Sequence, residues 1–195
     1  MIMDNDELRQ LVLGRLDLLG DQVPADFGSQ RTSADQIEHA VRQMLLQSDQ
    51  RFRPPVGVRA SGDILFDADS LCHINIKSTD LSKDFHMPNL ISAENLRKIC
   101  GRQERFYLLR ILHRSGEIIS KEFWQLTEID WSNLQLGALG TGQIQIRNGL
   151  KPLTPHAGDT ASWMHQWREH MISFYTKEIS KAERRRASWQ LPVDN

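Results

Sequence analysis

The sequence predicts an α/β fold in which a central mixed β-sheet is flanked by helices. Two short apolar runs, 64–66 and 71–78, are joined by the turn-forming segment 67–70 and predict a β-hairpin. Segments with helical spacing of apolar residues lie before and after this hairpin. The segment 105–113 is too apolar for a strand with one solvated face. It therefore predicts a strand that is covered on both faces, as in a sheet between two layers of helices.

Length and composition are those of a soluble globular protein. The chain has 195 residues, of which 39% are hydrophobic and 25% are charged. We expect one domain over residues 1–195. Its parts are an N-terminal helix and loop (1–32), a core (33–148) and a long C-terminal helix (159–186).

Charge and cysteine content exclude several classes of protein. The formal net charge of −1 argues against a non-specific coat of nucleic acid, although local basic patches can still bind a groove. Cys72 and Cys100 have no Cys-x-x-Cys spacing, so a structural zinc site is not expected.

The N-terminus lacks a secretory signal, and no apolar run approaches the roughly 20 residues that cross a bilayer. We expect a cytoplasmic protein without a membrane partner.

Three helices are predicted from apolar periodicity. The first spans 5–19 and the second spans about 33–47, where Glu38 lies at the edge of the buried stripe. The third spans 159–186, with a broad apolar face formed by Trp163, Trp167, Met171, Phe174 and Tyr175. A shorter helix is expected to begin near Ser92 and to end at Gly101.

The second strand of the hairpin places chemically useful side chains together. Cys72, Ile74 and Ile76 share the face toward the core, so His73, Asn75 and Lys77 share the opposite face. Asp63, at the start of the first strand, can reach the same place. This set could hold a metal ion beside a lysine. The alternative is the ordinary polar face of a half-solvated sheet.

Two further segments carry groups suited to DNA. The polar segment 78–86 is expected to be a loop whose side chains bond to phosphates or base edges. The strand 143–148 alternates polar side chains with Ile144 and Ile146, and glutamine and arginine can pair with adenine and guanine in the major groove. The alternative for this strand is an edge position with a solvated face. The glycine-rich run 137–142 before it matches neither a Walker A loop nor a dinucleotide fingerprint.

Asp63 followed by a hairpin and by Asn75-Ile76-Lys77 resembles the signature of the PD-(D/E)XK nuclease superfamily. Lys77-Ser78-Thr79 and the segment 85–92 are similar to the residues that come after this motif in some type II restriction endonucleases. The resemblance covers roughly residues 35–148. It implies a restriction-endonuclease-like fold and a nuclease domain that cleaves double-stranded DNA at specific sites with Mg²⁺.

The resemblance also implies roles for individual residues. Asp63 would be the principal metal ligand, with the Asn75 amide oxygen and the Ile76 carbonyl as further ligands. Lys77 would orient or activate the attacking water, and Glu38 would support a water in the outer shell. Residue 75 is acidic in the family, so Asn75 is a departure. It is a natural variant, an inactivating change, or a sign that the protein binds DNA without cutting.

The partners implied are double-stranded DNA and a second copy of the chain, because a two-fold dimer matches a palindromic site. Such an enzyme belongs to a restriction–modification pair. The expected DNA contacts are Ser78, Thr79, Lys83, His86, Gln143, Gln145, Arg147 and Asn148. Two alternatives remain open at this point: a non-cleaving DNA-binding protein on the same scaffold, and a small α/β interaction domain without a nucleic-acid role.

Overall fold

The computed structural model describes residues 3–18, 33–56, 61–115, 117–137 and 142–189. Within these residues the helices are α1 (Asn5–Asp17), α2 (Ser33–Ser48), α3 (Ala93–Gly101) and α4 (Thr160–Ser188). The strands are β1 (Phe52–Arg53), β2 (Ile64–Asp67), β3 (Leu71–Asp80), β4 (Asn89–Ser92), β5 (Arg105–Arg114), β6 (Glu117–Gln125), β7 (Leu134–Gly137) and β8 (Gln143–Ile146). The predicted α/β class with a mixed sheet is confirmed. The predicted loop at 21–32 and most of the glycine-rich run lie outside the described residues.

The larger sheet has five strands in the order β1-β2-β3-β5-β6, so β3 is its middle strand. The pair β3–β5 is parallel and the other neighbours are antiparallel. This arrangement follows from the chain path, because α3 lies in the connection between β3 and β5, and parallel strands need such a crossover. The predicted hairpin and the predicted buried strand are both confirmed.

The smaller sheet has three antiparallel strands in the order β4-β8-β7. The strand predicted at 143–148 is therefore its middle strand, and the alternative of an edge strand is wrong. Neither β4 nor β7 was predicted, since each has only four residues. The alternation of Leu134, Gln135 and Leu136 is the signal that could have revealed β7.

One face of the larger sheet is covered by α1 and α2. The Asp4 carboxylate caps α1, and the apolar stripe of this helix buries Leu8, Val12 and Leu16. Ile37, Val41 and Leu45 of α2 are buried in the same core. On the sheet side this core contains Cys72, Ile74 and Ile76, as the strand pattern predicts.

The opposite face is covered by α3, α4 and the smaller sheet. Their shared core includes Trp163, which is fully buried and donates from its indole Nε1–H to the Ile129 carbonyl at 2.8 Å. Because of this cover, β3 is buried on both faces. His73 and Asn75 are only 6% and 9% exposed, so the alternative of a half-solvated polar face is wrong for them.

The segment after Lys77 is not the loop that its polarity predicts. Strand β3 continues to Asp80, and Ser78 and Thr79 are buried within it. Their hydroxyl groups have partners inside the protein: Ser78 donates to the Ala34 carbonyl at 3.0 Å, and Thr79 bonds to His86 Nδ1 at 3.0 Å. These partners make it possible to bury two polar side chains in the strand.

Helix α4 is the longest element, with 29 residues and with Asp159 as its N-cap. Trp163, Trp167 and Phe174 are buried, as the predicted apolar face requires. Tyr175 was predicted on that face but is exposed, because it is turned away from the core beside Phe174. In the described part of the chain, no helix is long and apolar enough to cross a membrane.

Candidate active site

Two carboxylates stand where β3 extends beyond its neighbour β2. The described pairing of β2 with β3 begins at Ile64 and Ile74. Beyond it, the Ile76 N–H donates to Asp63 Oδ2 at 2.7 Å, and the Ser78 N–H donates to Glu38 Oε1 at 2.8 Å. Alternate residues of a strand direct their backbone groups to the same edge. Asp63 and Glu38 therefore lie at the same edge of β3, on either side of Lys77 along the chain.

The position of Asp63 is fixed by the start of the hairpin. Its own N–H donates to the Ile74 carbonyl at 2.8 Å. A Cβ atom at residue 62 would stand 3.0 Å from the same carbonyl oxygen. A side chain at this position would press the two strands apart, so Gly62 allows the close approach that aims Asp63 at β3.

Glu38 reaches the site from α2, because its neighbour Ile37 anchors this helix in the core. Burial raises the pKa of the Glu38 carboxyl, and the charge of Asp63 adds to this effect. The charge of Lys77 and the Ser78 N–H act in the opposite direction and lower this pKa. The structure therefore brings together Glu38, Asp63 and Lys77, the three charged residues that the sequence selected.

Asn75 contributes an oxygen atom that is not hydrogen-bonded. Its Nδ2 donates to the Leu90 carbonyl at 3.3 Å. Its Oδ1 is buried and has no hydrogen-bond partner in the described part of the chain. A buried polar atom without a partner is uncommon and calls for an explanation, such as an ion. The Ile76 carbonyl lies near this set, since the N–H and C=O of one strand residue point to the same edge.

These groups suit a hard divalent cation. Carboxylate, amide and backbone carbonyl oxygens are the protein ligands that Mg²⁺ accepts. Among the described residues, no group of three or more His, Cys, Asp or Glu side chains could hold a metal ion. A cation bound by Asp63 would therefore need ligands of other kinds as well, such as the Asn75 amide, the Ile76 carbonyl or water.

Positive charge lies close to the carboxylates. The pKa of His86 is lowered, first because the ring is partly buried and then because Lys83, Arg110 and Lys77 are nearby. Arg110 is fully buried, and its guanidinium donates to the Lys151 carbonyl at 2.9 Å and to Glu122 at 3.1 Å. Because Arg110 is buried and paired with Glu122, Lys77 and the exposed Lys83 are the cations of this group that can attract a phosphate.

His73 shares a strand face with Asn75 and Lys77, as predicted, but its ring is engaged elsewhere. His73 Nε2 lies 2.7 Å from Glu104 Oε2, and Glu104 also accepts two hydrogen bonds from Arg102. The Arg102 guanidinium, and to a lesser degree His73, lower the pKa of Glu104. This network ties β3 to the turn after α3 and gives His73 a structural role.

A row of three amides crosses the smaller sheet. Gln135 and Asn89 stand opposite Gln145 in its two neighbouring strands. Gln135 Nε2 donates to Gln145 Oε1 at 3.2 Å, and Gln145 Nε2 donates to Asn89 Oδ1. Asn89 is exposed at the end of the row, although Gln145 is buried. The sequence selected Gln145 but missed Asn89 and Gln135, because β4 and β7 were not predicted.

The amide row is connected to Asn75 through strand β4. The carbonyl of Leu90 accepts the hydrogen bond from Asn75, and Asn89 is the residue before it. Gly137 makes room for the row, since a Cβ atom there would stand 2.5 Å from the Gln145 side chain. Asn89, the exposed end of the row, is thus the neighbour in sequence of the residue that bonds to Asn75.

The remaining predicted DNA contacts differ in their exposure and in their hydrogen bonds. Lys83 is exposed in the turn after β3, and Gln143 is half-buried. Arg147 is exposed, and its guanidinium donates to the Leu134 carbonyl at 3.2 Å. The Asn148 side chain accepts the Leu150 N–H at 2.9 Å and closes a turn.

No protein-family model matches the chain, and a search of the curated proteins found no match to its sequence.

Proposed function

We propose that this chain is a Mg²⁺-dependent, sequence-specific endonuclease of double-stranded DNA with a restriction-endonuclease-like fold. The observation that carries the proposal is the convergence of Asp63, Glu38 and Lys77 along the part of β3 with which β2 does not pair in the described chain. Asn75, in the same strand, adds a buried oxygen without a hydrogen-bond partner among the described residues. The order of elements supports it, because α2 precedes the hairpin and α3 and the parallel strand β5 follow it.

Each residue at the edge has a distinct task in this proposal. Asp63, the Asn75 amide oxygen and the Ile76 carbonyl would hold the metal ion. Bound Mg²⁺ would polarise the scissile phosphate and lower the pKa of the attacking water. Lys77 would orient this water and offset negative charge as it develops on the phosphate. Glu38, already bonded to β3, would hold a water in the outer shell.

DNA recognition would use the surface next to this edge. Lys83 and His86 carry positive or titratable groups suited to phosphates, and Arg147 is exposed for a similar contact or for guanine. Asn89 would present its amide to a base edge, with Gln145 and Gln135 fixing its orientation. Ser78 and Thr79 are left out of the proposed contacts because they are buried.

The proposed biological setting is a cytoplasmic restriction–modification pair in which two copies of the chain read a palindromic site. A palindrome has the two-fold symmetry of a homodimer, so each copy would cut one strand.

The test is cleavage of unmethylated phage DNA by the native protein and by Asn75→Asp, each with Mg²⁺ and with EDTA. We expect discrete, Mg²⁺-dependent bands from Asn75→Asp, because a carboxylate at residue 75 binds the cation more strongly than an amide. Lys77→Met in the Asn75→Asp background is the matched control and is expected to remove cleavage. Absence of cutting by the native protein, by Asn75→Asp and by Asn75→Glu would overturn the nuclease proposal.

A second function is favoured by one observation. Asn75 is neutral, and its amide nitrogen is bonded to the Leu90 carbonyl in a way that a carboxylate could not reproduce. This arrangement suits a DNA-binding protein that does not cut. Tight binding to duplex DNA with a steep salt dependence, but without cleavage by any variant at residue 75, would select this function. Absence of both binding and cleavage would exclude the two functions together.

A further inference from the structure

The second half of α4 carries an exposed stripe with the spacing of a coiled coil. We define the outer stripe as Ile172, Tyr175, Ile179, Ala182, Arg186 and Trp189, whose separations alternate between three and four residues. The four large side chains are exposed by 52% at Ile172, 48% at Tyr175, 59% at Ile179 and 89% at Trp189. They are half of the eight exposed large hydrophobic residues in the described chain. Such a concentration on one stripe indicates an interaction surface.

The outer stripe is distinct from the face that packs on the protein. Trp163, Trp167 and Phe174 mark the packed face. Tyr175 follows Phe174 directly, and successive residues of a helix are turned by about 100°. The stripe therefore lies about a quarter turn from the packed face. Residues 182–189 are exposed all round, so this end of α4 extends away from the rest of the described chain.

We propose that the outer stripe binds the same stripe of a second copy of this chain, with the two helices antiparallel. In this register Ile172 faces Trp189 of the second copy, and Ile179 faces Ala182. Tyr175 faces Arg186, which allows a cation–π contact. Every position of the stripe thus meets a side chain of complementary size or charge, and the two-fold axis passes between residues 180 and 181.

The charges beside the stripe select this orientation. Glu178 and Arg185 flank the stripe on one side, seven residues apart. In the antiparallel pair, Glu178 of each copy faces Arg185 of the other, which gives two ion pairs between the copies. In a parallel pair, Arg186 would face Arg186 of the other copy, and Glu178 would approach Glu183 of the other copy. Both of these contacts are repulsive.

The shape of the protein permits the pairing. An overlap from residue 172 to residue 189 is about 27 Å long. Each helix is held by its own protein body through residues 163–174. The two bodies therefore lie at opposite ends of the helix pair. This inference does not depend on the nuclease proposal, since it uses neither DNA nor the residues at the edge of β3.

Sedimentation equilibrium of the full chain without DNA tests the proposal. We expect a native dimer of twice 22.5 kDa and at least a ten-fold weaker association for Ile179→Glu. Ser180→Glu adds the same charge on the neighbouring exposed surface and is the matched control, expected to remain dimeric. A monomeric native protein, or a dimer that Ile179→Glu leaves unchanged, would overturn the proposal.

Two charge reversals test the orientation. Glu178→Arg and Arg185→Glu should each weaken self-association, since each places like charges opposite one another. An equimolar mixture of the two variants should form a heterodimer as tight as the native dimer, because both ion pairs are then restored. A parallel pair would behave differently, since Glu178→Arg would face Glu183 and would associate more tightly. That result, or failure of the mixture to associate, would refute the antiparallel arrangement.

Discussion

Glu38 is the residue through which the candidate site should influence the stability of the whole protein. Its carboxyl has a raised pKa because it is buried in the folded chain. As the pH rises through 4.5, the ordinary pKa of a glutamate, the unfolded chain therefore releases this proton before the folded protein does. Folding stability falls with rising pH until the folded protein has also lost the proton. We predict that Glu38→Gln, which cannot ionise, removes this loss.

The size of the effect is limited by the single proton involved. One group changes the free energy of unfolding by at most about 1.4 kcal/mol for each pH unit. The partial exposure of Glu38 reduces the effect below this limit. Glu38→Gln should match the native protein near pH 4, where the native carboxyl is protonated, and should exceed its stability at pH 8.

Glu38→Ala separates the charge from the hydrogen bond. Gln can still accept the Ser78 N–H, whereas Ala leaves this buried donor without a partner. An unpaired buried donor costs about 1–3 kcal/mol. Glu38→Ala should therefore be less stable than Glu38→Gln by this amount at every pH.

The assay is urea unfolding of the three proteins between pH 4 and pH 8, followed by tryptophan fluorescence. A difference between the native protein and Glu38→Gln that stays constant over this range would refute the argument from burial. Equal stability of the Ala and Gln variants would refute the role of the hydrogen bond to β3. Mg²⁺ should reduce the advantage of Glu38→Gln, since a bound cation would stabilise the ionised carboxyl.

Three further changes test other parts of the structure by urea unfolding. Asn75→Asp should cost several kcal/mol in EDTA and recover with Mg²⁺, because it buries a carboxylate against the Leu90 carbonyl; equal stability with and without Mg²⁺ would contradict this. Arg110→Met should cost about 3–5 kcal/mol at pH 7, because it leaves Glu122 and buried carbonyl oxygens unpaired; a neutral effect would contradict it. Burial lowers the pKa of His113, so native stability should fall as the pH drops below 6.5, and His113→Leu should reduce that fall, with the remainder due to His86; an unchanged acid dependence would contradict it.

The hairpin and α4 could be predicted because their signals are local. Turn residues at 67–70 separate two apolar runs, and α4 has both a capping residue and a long apolar face. The short strands β4 and β7 could not be predicted with the same ease. In the described sheet each pairs with β8 alone, and β4 reaches β8 across a long stretch of chain.

The cover on β3 is the main feature that the sequence could not reveal. His73 and Asn75 are polar and alternate with apolar residues, so they resemble an exposed face. They are buried by α3, α4 and the smaller sheet, whose arrangement depends on tertiary contacts. Ser78 and Thr79 resemble loop residues because the groups that satisfy their hydroxyls are not adjacent in sequence. The partner of Ser78 is Ala34, far away in the chain, and the partner of Thr79 is His86, beyond the turn that follows β3.

For the candidate site, the sequence selected Asp63, Glu38 and Lys77 as candidates but did not reveal the bonds that hold the two carboxylates. Strand register places Asp63 near Lys77, and the family resemblance selects Glu38. Both carboxylates accept hydrogen bonds from N–H groups of β3. These N–H groups are available because the pairing of β2 with β3 begins only at Ile64 and Ile74, and no local sequence pattern encodes this limit.

The two carboxylates at the edge of β3 also have a protective effect. In the described chain, β2 begins too late to pair with Ile76 and Ser78, so this stretch of β3 has no partner strand on that side. An open edge offers unpaired N–H groups to strands of other molecules and promotes aggregation. Asp63 and Glu38 occupy these groups and add negative charge that repels an incoming backbone carbonyl. We therefore expect the double variant Asp63→Ala/Glu38→Ala to aggregate more readily than the native protein, which light scattering would detect.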